Sequence, residues 1–535
     1  MVRVAALSLA AAAATYPTKS GSHRISSWDG TGLTAYSEVP QSTDPSEQFP
    51  VVVFINSWDV PGIEYLVKTI QWAKLGYVCV EYEARGWYSS GGQVDAASDK
   101  DIKDVQAVID WTLATFNISN KSAIATAGIS YGGGIAALSS AADPRIRSVL
   151  ALSGWTDLLQ ALYWQNSVAA AWGELLVAGA ALPIIGREDP DLKAQWNNLK
   201  THTHMDEVTE WANRRGVVNM LDQINKNKPA FYISHNHQDN LFHSSLDLVN
   251  WGKLKVPKKI DLHQGTHASA ELLGLLPGHT ADKSAAAHLW GNALKWLDRF
   301  LKGVDNGIDT EAPVQMQLGG QGFGSDYVHF DTWPPSAGNI TSEELVLGAR
   351  DGDFGTLGAD GQAGAADVLK FGKKSGLGTG FLFIADFFRD LFPITAQLNR
   401  VNKDTAVVYL SEARTTAARI CGIPRLSGLR VTPSEERATL VTYLYSVDLK
   451  TKKGRLVTHG TTSLWEAKAG EAVTLPTIDF HTCCYDIPAG HAIAMGMDLY
   501  DFLYEPASTT VTLLVDYDGK AKLELPVVPQ HTVLV

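Results

Sequence analysis

Up to about residue 300 the chain alternates short apolar runs with amphipathic stretches. Val51–Asn56, Tyr77–Glu83, Ala123–Ile129, Ile146–Leu152, Ala230–Ser234 and Lys259–His263 are mostly continuous in apolar character. That predicts strands covered on both faces, as in a parallel sheet with helices on either side. Between them Ile102, Val105, Ile109 and Leu113 recur at three- and four-residue spacing, the apolar stripe of one helix. A closing helix is predicted from about Asp282 to Leu301, with Leu294, Leu297 and Leu301 on one face and Gly303 as its stop.

One interval breaks the alternation. Between Gly154 and Lys228 there is no strand pattern, only helical patterns carrying Trp155, Trp164, Trp172, Trp196 and Trp211. An insertion there sits above the carboxyl ends of the strands, where open α/β sheets bind ligands, and is read as a helical cap. Within it Ser167–Ile185 is nearly all apolar, but Glu174 interrupts it and Pro183 breaks it, so a buried helical hairpin is expected rather than a membrane span. After about Ala312 the character changes. Glycine-rich stretches (Leu318–Gly322 and Gly352–Gly364) are followed by short β-rich runs at Ala406–Leu410, Ala438–Val447, Ser463–Trp465, Ala492–Met497 and Thr510–Val515. Short strands with turn signals and no helical period predict a β-sandwich of jelly-roll type. The expected organisation is therefore a start at 1–20, a catalytic α/β domain at 21–154 and 228–312, a cap at 155–227 and a β-domain at 313–535.

Composition narrows the function. Hydrophobic residues at 45% and charged residues at 19% are those of a globular protein too long for a single core. A net charge of −12 disfavours nucleic acid as a partner, since phosphates call for a basic face. Of the four cysteines, Cys79 sits inside an apolar strand as a buried thiol, and a bridge from Cys421 to Cys483 or Cys484 is one alternative to three further free thiols. Met1–Ala14 is read either as a short signal peptide or as an alanine-rich start, which leaves secretion and a cytoplasmic location both open. Sequons at Asn117, Asn120 and Asn339 are compatible with secretion.

Chemistry concentrates at Gly128-Ile129-Ser130-Tyr131-Gly132, a G-x-S-x-G pentapeptide between a predicted strand and a small-residue helix. A serine on so sharp a strand-to-helix turn is thrust outward, and its neighbours are glycines because the turn leaves no room for a Cβ. Such a serine needs a histidine to take its proton and a carboxylate to orient that histidine, in the chain order Ser, acid, His. Asp239 is the first carboxylate past the strand ending near Ser234, with Asp247 as runner-up in the helical run that follows. His267, in the Gly265-Thr266-His267 loop after the next strand, is the base; His263 lies within the strand and His279 farther along. The oxyanion calls for two donors: the backbone N–H of Tyr131, and Trp58 through its indole or its backbone N–H. Tyr163, Trp164, Leu241 and Phe242 are pocket candidates, by position near the cap and the acid loop. His235, His237 and His243 have no zinc-like spacing and are read as structural or pocket-lining. No metal or other cofactor is called for.

Taken in order, these pieces resemble the cocaine-esterase-like (CocE/NonD) hydrolases and X-prolyl dipeptidyl peptidases. The resemblance is carried by Asn56-Ser57-Trp58, Ala84-Arg85-Gly86-Trp87 with Ser90-Gly91-Gly92, the pentapeptide, Asp239 and His267. It continues through Trp296–Gly303, Gly422–Leu426 and Tyr485–His491, so that it spans about residues 25 to 535. It implies an α/β-hydrolase domain with a helical cap, a C-terminal jelly roll, and a serine hydrolase acting through an acyl-enzyme on a small ester, amide or short peptide. The family places a tyrosine where Trp58 stands, and its phenol donates to the oxyanion; Trp58 is a departure. Arg85 is read as a brace beside the elbow. Release of X-Pro dipeptides, the alternative activity, needs a carboxylate for the substrate ammonium, for which Asp59, Asp157 and Glu174 are candidates. A binding protein with an inactive α/β domain is the third reading.

Overall fold

The computed structural model describes residues 15–276, 284–319, 326–333, 340–361, 364–380 and 393–529. Met1–Ala14, His279 and Asn339 lie outside them. Two antiparallel strands open the described chain, β1 (Thr18–Ser26) and β2 (Gly32–Pro40), joined through Asp29 and Gly30. A search for continuous apolar runs passes over them. Much of β1 faces solvent, and in β2 the buried Leu33 and Ala35 alternate with half-exposed neighbours.

The continuous runs do form the predicted central strands: β3 (Phe49–Ile55), β4 (Val78–Tyr82), β5 (Ser119–Ile129), β6 (Ile146–Leu152), β7 (Ala230–Asn236) and β8 (Lys258–His263). With β9 (Val314–Gln317) and β10 (Tyr327–Phe330) they complete a sheet ordered β1-β2-β4-β3-β5-β6-β7-β8-β9-β10 among the described residues. The inner strands from β4 to β9 are mutually parallel, and the two edges are antiparallel. Side chains two apart point the same way. Val51, Val53 and Ile55 therefore enter a core with Val78, Ile135 and Val149. Val52 and Phe54 enter another with Trp72, Trp290 and Trp296 on the opposite face. Helices α1 (Leu66–Lys74), α2 (Asp99–Thr115) and α3 (Tyr131–Ala142) follow β3, β4 and β5 in sequence. Ser98 caps α2 with a capping box to Asp101.

The interval between β6 and β7 is helical: α4 (Leu158–Leu162), α5 (Ala170–Ala181), α6 (Pro190–Thr201), α7 (Met205–Asn213) and α8 (Leu221–Asn227). The expected hairpin within it is instead the single helix α5 followed by an open turn. Pro183 ends the helical pattern, and Leu175, Leu182 and Ile184 face solvent. No helix among the described residues is long and apolar enough to cross a membrane. Then come α9 (Ser244–Gly252), α10 (Ser269–Leu273) and α11 (Ala285–Lys302), the last capped by Ser284 and stopped at Gly303 in a left-handed conformation.

The C-terminal part is β-rich, with two sheets sharing one core. Leu369, Val431 and Leu513 of the smaller sheet pack with Leu345, Leu347 and Leu440 of the larger. Where Ser463–Trp465 was expected, the strand is the longer Lys453–Leu464, and Trp465 falls just past its end. Ala418–Gly422 pairs antiparallel with Cys483–Ile487, which sets Cys421 directly opposite Cys484 with Cα atoms 3.9 Å apart, and these two form a disulfide. Cys79 and Cys483 are free and buried.

The bridge closes a loop of 63 residues. Reducing it, or replacing both cysteines by serine, is expected to cost the β-domain about 2–4 kcal/mol. Urea unfolding followed by tryptophan fluorescence, with and without reductant, measures this.

Candidate active site

Ser130 stands between the end of β5 and the start of α3 with φ 55° and ψ −114°, a conformation that a non-glycine residue adopts only under the constraint of its surroundings. The constraint is the close approach of β3. A Cβ on Gly132 would lie 2.1 Å from the carbonyl oxygen of Ile55, and one on Gly128 would lie 2.4 Å from the carbonyl carbon of Gly132. The backbone can fold tightly over β3 only if both are glycine. Ser130 N–H donates to the Leu152 carbonyl at 2.8 Å, which ties the elbow to β6 as well.

Two loops bring the partners to it. Beyond β7, the Asp239 carboxylate is fixed by the N–H groups of Leu241 and Phe242, both donating to Oδ1 at 2.9 Å. Beyond β8, His267 lies with Nδ1 2.8 Å from Asp239 Oδ2 and Nε2 2.7 Å from Ser130 Oγ. The two loops are pinned to each other: His237 N–H donates to the His263 carbonyl at 2.8 Å and Gln238 N–H to the Gly265 carbonyl at 3.0 Å. Burial pushes the Asp239 carboxyl up, but the imidazole of His267, together with His235 and the Phe242 N–H, outweighs it and holds the group below the ordinary carboxylate value. The carboxylate thus stays ionised, facing Nδ1 of His267.

A cavity of about 90 Å³ opens beside Ser130. Trp58, Trp155, Leu176, Trp196, Leu241 and Phe242 are among its walls, and apart from Ser130 and Gln195 the side chains around it are apolar or aromatic. Helices α4 to α7 supply most of the rest. Above the base, the rings of Phe242 and Trp172 meet His267 edge-on at 5.0 and 5.5 Å, so water reaches the imidazole poorly.

Ser130, Asp239, His267, Tyr131, Trp58, Leu241 and Phe242 therefore come together, whereas Tyr163 and Trp164 do not. The Tyr163 hydroxyl is bonded to His202 Nδ1 at 2.6 Å inside a separate core with Trp465. Trp164 stacks on His243 at 4.0 Å and lines a smaller hollow toward the β-domain. Gln165 and Asn166, just after them, take positive φ and are held by Thr461, Asp479 and Trp465 of the β-domain. Trp58 also differs from one of its two expected uses: its indole N–H donates to the Leu176 carbonyl of α5 at 2.9 Å and is thereby engaged, while the ring packs edge-on to Tyr131.

The other histidines diverge. His235 donates from Nε2 to the Phe242 carbonyl, His237 bonds Thr482 and the Gln317 carbonyl, and His243 bonds Ser245. Asp247 accepts from Thr156 and does not reach His267. Arg85 is indeed a brace, paired with Asp104 and Asp29. Of the ammonium-binding candidates, Asp157 caps α4, Glu174 pairs with Lys200 on the surface, and Asp59 lies against Gly179 of α5. None of the three is in the cavity wall.

Two residues that the sequence reading passed over hold this arrangement from behind. The buried Glu271 carboxylate accepts from Ser153, Ser234 and Asn236, joining the ends of β6 and β7 to the helix that follows His267. Glu64 accepts from the Ser57 N–H at 2.8 Å, and its other oxygen lies 2.7 Å from the hydroxyl of Ser57, the residue before Trp58. Carboxylates in turns are ordinarily solvated, so nothing in a single sequence marks these two.

Comparison with known proteins agrees with this architecture. Residues 29–269 match the X-Pro dipeptidyl-peptidase (S15) family, and residues 306–505 match the X-Pro dipeptidyl-peptidase C-terminal non-catalytic domain. A Bacillus cereus protein provisionally named Xaa-Pro dipeptidyl-peptidase is 22% identical over 498 residues, covering 85% of this chain and 76% of its own. Among solved structures, a CocE/NonD family hydrolase from Staphylococcus aureus is 14% identical, with 96% of this chain and 94% of that one covered at a TM-score of 0.71. An α-amino acid ester hydrolase is also 14% identical, with 98% and 99% covered at 0.72.

Proposed function

For a chain that belongs to the X-Pro dipeptidyl-peptidase (S15) superfamily of serine hydrolases, we propose an esterase, with amidase activity as its extension, that forms an acyl-enzyme on Ser130 from substrates with an apolar acyl group. One observation carries the reading: the Ser130–His267–Asp239 chain of hydrogen bonds stands at the wall of an apolar cavity. Ser130 Oγ attacks the substrate carbonyl as its proton passes to His267 Nε2. Asp239 holds the Nδ1 proton and stabilises the imidazolium. The oxyanion is received by the Tyr131 N–H, one of the first-turn donors that helix α3 leaves unused, at the positive end of that helix. The second donor is the backbone N–H of Trp58, because its indole is committed to Leu176. His267 then protonates the leaving group, and water repeats the sequence on the acyl-enzyme. In this reading residues 155–227 form the cap, and the boundaries expected from the sequence describe the domains.

The family match and the name of the Bacillus cereus relative favour X-Pro dipeptides as an alternative substrate. Such a peptide brings a charged ammonium into the acyl site, and a buried charge without a partner is costly. No carboxylate is in the cavity wall among the described residues, which favours the neutral, apolar acyl group.

Three expectations follow from these roles. A series of p-nitrophenyl esters should be hydrolysed with kcat/KM well above that of Gly-Pro-nitroanilide, and Ser130→Ala should abolish both turnover and fluorophosphonate labelling; a clear preference for the anilide would replace the esterase reading with the dipeptidase one. Asp239→Asn should lower kcat by about 10³–10⁴-fold and Asp247→Asn by only a few-fold; the reverse order would move the acid to Asp247. Trp58→Phe should cost less than about threefold in kcat, whereas loss of a true oxyanion donor costs about 10²–10³-fold.

A further inference from the structure

Both halves of the oxyanion site are held by two adjacent side chains that do not touch the cavity. Ser57 precedes Trp58, and Ile129 precedes Ser130. The Ser57 N–H donates to Glu64 Oε2 at 2.8 Å, and Ser57 Oγ lies 2.7 Å from Glu64 Oε1 and 3.1 Å from the Ile129 carbonyl oxygen. The neighbouring Tyr65 hydroxyl accepts from the Ile129 N–H at 2.8 Å and donates to the Ile55 carbonyl at 3.1 Å. Loop and elbow thus meet across one serine hydroxyl and one phenol.

The serine hydroxyl has one hydrogen and faces two acceptors if Glu64 is ionised. A carboxylic acid at Glu64 resolves the conflict: its O–H donates to Ser57 Oγ, the Ser57 hydrogen goes to the Ile129 carbonyl, and the Ser57 N–H still finds Oε2. We propose that Glu64 serves as a neutral carboxylic acid, a positioning residue that locks the Trp58 loop to the nucleophile elbow and keeps negative charge away from the developing oxyanion. The inference rests on the reading of Ser130 as nucleophile.

The surroundings of Glu64 favour the neutral form. Its titratable neighbours are Tyr65 at the start of α1 and Glu81 on β4, with Glu38 on β2 beyond Glu81; none of them is a cation. Burial pushes the carboxyl up to about 7 against the opposing pull of the Ser57 donors, and burial pushes Glu81 up to about 8. Ionisation above neutrality draws the Ser57 hydrogen back to Glu64 and releases the Ile129 carbonyl. It also sets a negative charge close behind the oxyanion, where little water screens it. Activity should therefore fall at alkaline pH as Glu64 loses its proton.

The test is the pH profile of p-nitrophenyl butyrate hydrolysis by the full-length wild type, Glu64→Gln and Glu64→Leu, with fluorophosphonate labelling of Ser130 alongside. Glutamine donates to Ser57 Oγ and accepts from the Ser57 N–H without ionising. It should keep kcat near neutrality within about threefold of wild type and remove the alkaline fall, while leucine should lower kcat by about 10–100-fold at nearly constant KM, less than or comparable to loss of a donor itself. The same alkaline limb in Glu64→Gln as in wild type, or wild-type kcat in Glu64→Leu, would overturn the proposal. Should Glu64→Leu not fold, the comparison of Glu64→Gln with wild type decides alone. Wild type that is not labelled would overturn the nucleophile reading, and this inference with it; labelled wild type with coincident profiles would overturn the role of Glu64 only.

Discussion

The site depends on one close approach, that of Gly132 to the carbonyl of Ile55. Because nothing larger than hydrogen fits between them, helix α3 begins directly against the end of β3, and Ser130 is left in a conformation that costs on the order of 1–3 kcal/mol. That cost is offset by the buried strands on both sides, which cannot shift without opening the two cores that meet at the sheet. The same approach brings the first-turn N–H groups of α3 and the loop after β3 to a common point. On the proposed reading, a nucleophile and an oxyanion site are thus two outcomes of one packing constraint, and neither can be moved without the other.

Much of this was legible because strand ends are legible. Continuous apolar runs marked β3 to β8, and the fold's requirement that partners sit on loops past those strands reduced the acid and base to Asp239 and His267; His267 lies within hydrogen-bond distance of both Asp239 and Ser130. Strands β1 and β2 were not legible by that rule, because much of β1 faces solvent and the first half of β2 alternates buried and half-exposed positions. Nor were side-chain directions. Tyr163 and Trp164 stand at the right place in the chain but just before a backbone bend at Gln165, and the direction of a bend depends on contacts far along the sequence. Gln165 is held by Thr461 and Asp479 of the β-domain. Glu64 and Glu271 were invisible for a related reason: a carboxylate's burial is a property of what folds over it.

Those distant contacts also give the C-terminal domain a physical part in the site. It holds the cap through Gln165, through Ser167 bonded to Ser463, and through Trp465 donating to the Asn166 carbonyl. It reaches the acid loop through Thr482, which bonds both Ser244 and His237. Thr482 lies two residues from Cys484, so the disulfide stiffens the strand next to that contact. A domain without catalytic groups thereby fixes the roof of the cavity and the loop that carries the acid.

The cavity and the elbow then bear on one another through charge. An apolar wall lowers the local dielectric, which on the proposed mechanism strengthens the pull of the Tyr131 N–H and of the helix end on an oxyanion. The same wall penalises any unpaired charge, whether a substrate ammonium in the acyl site or a carboxylate behind the oxyanion hole. Two buried carboxylates near the site, on the proposed reading, follow that logic. Asp239 is ionised because His267 and His235 answer its charge, whereas Glu64, with no cation to answer it, is driven toward the neutral acid. On the proposed reading, two carboxyl groups buried behind the cavity take opposite protonation states, and each suits the group it supports: a charged acid beneath an imidazolium, a neutral one behind an oxyanion.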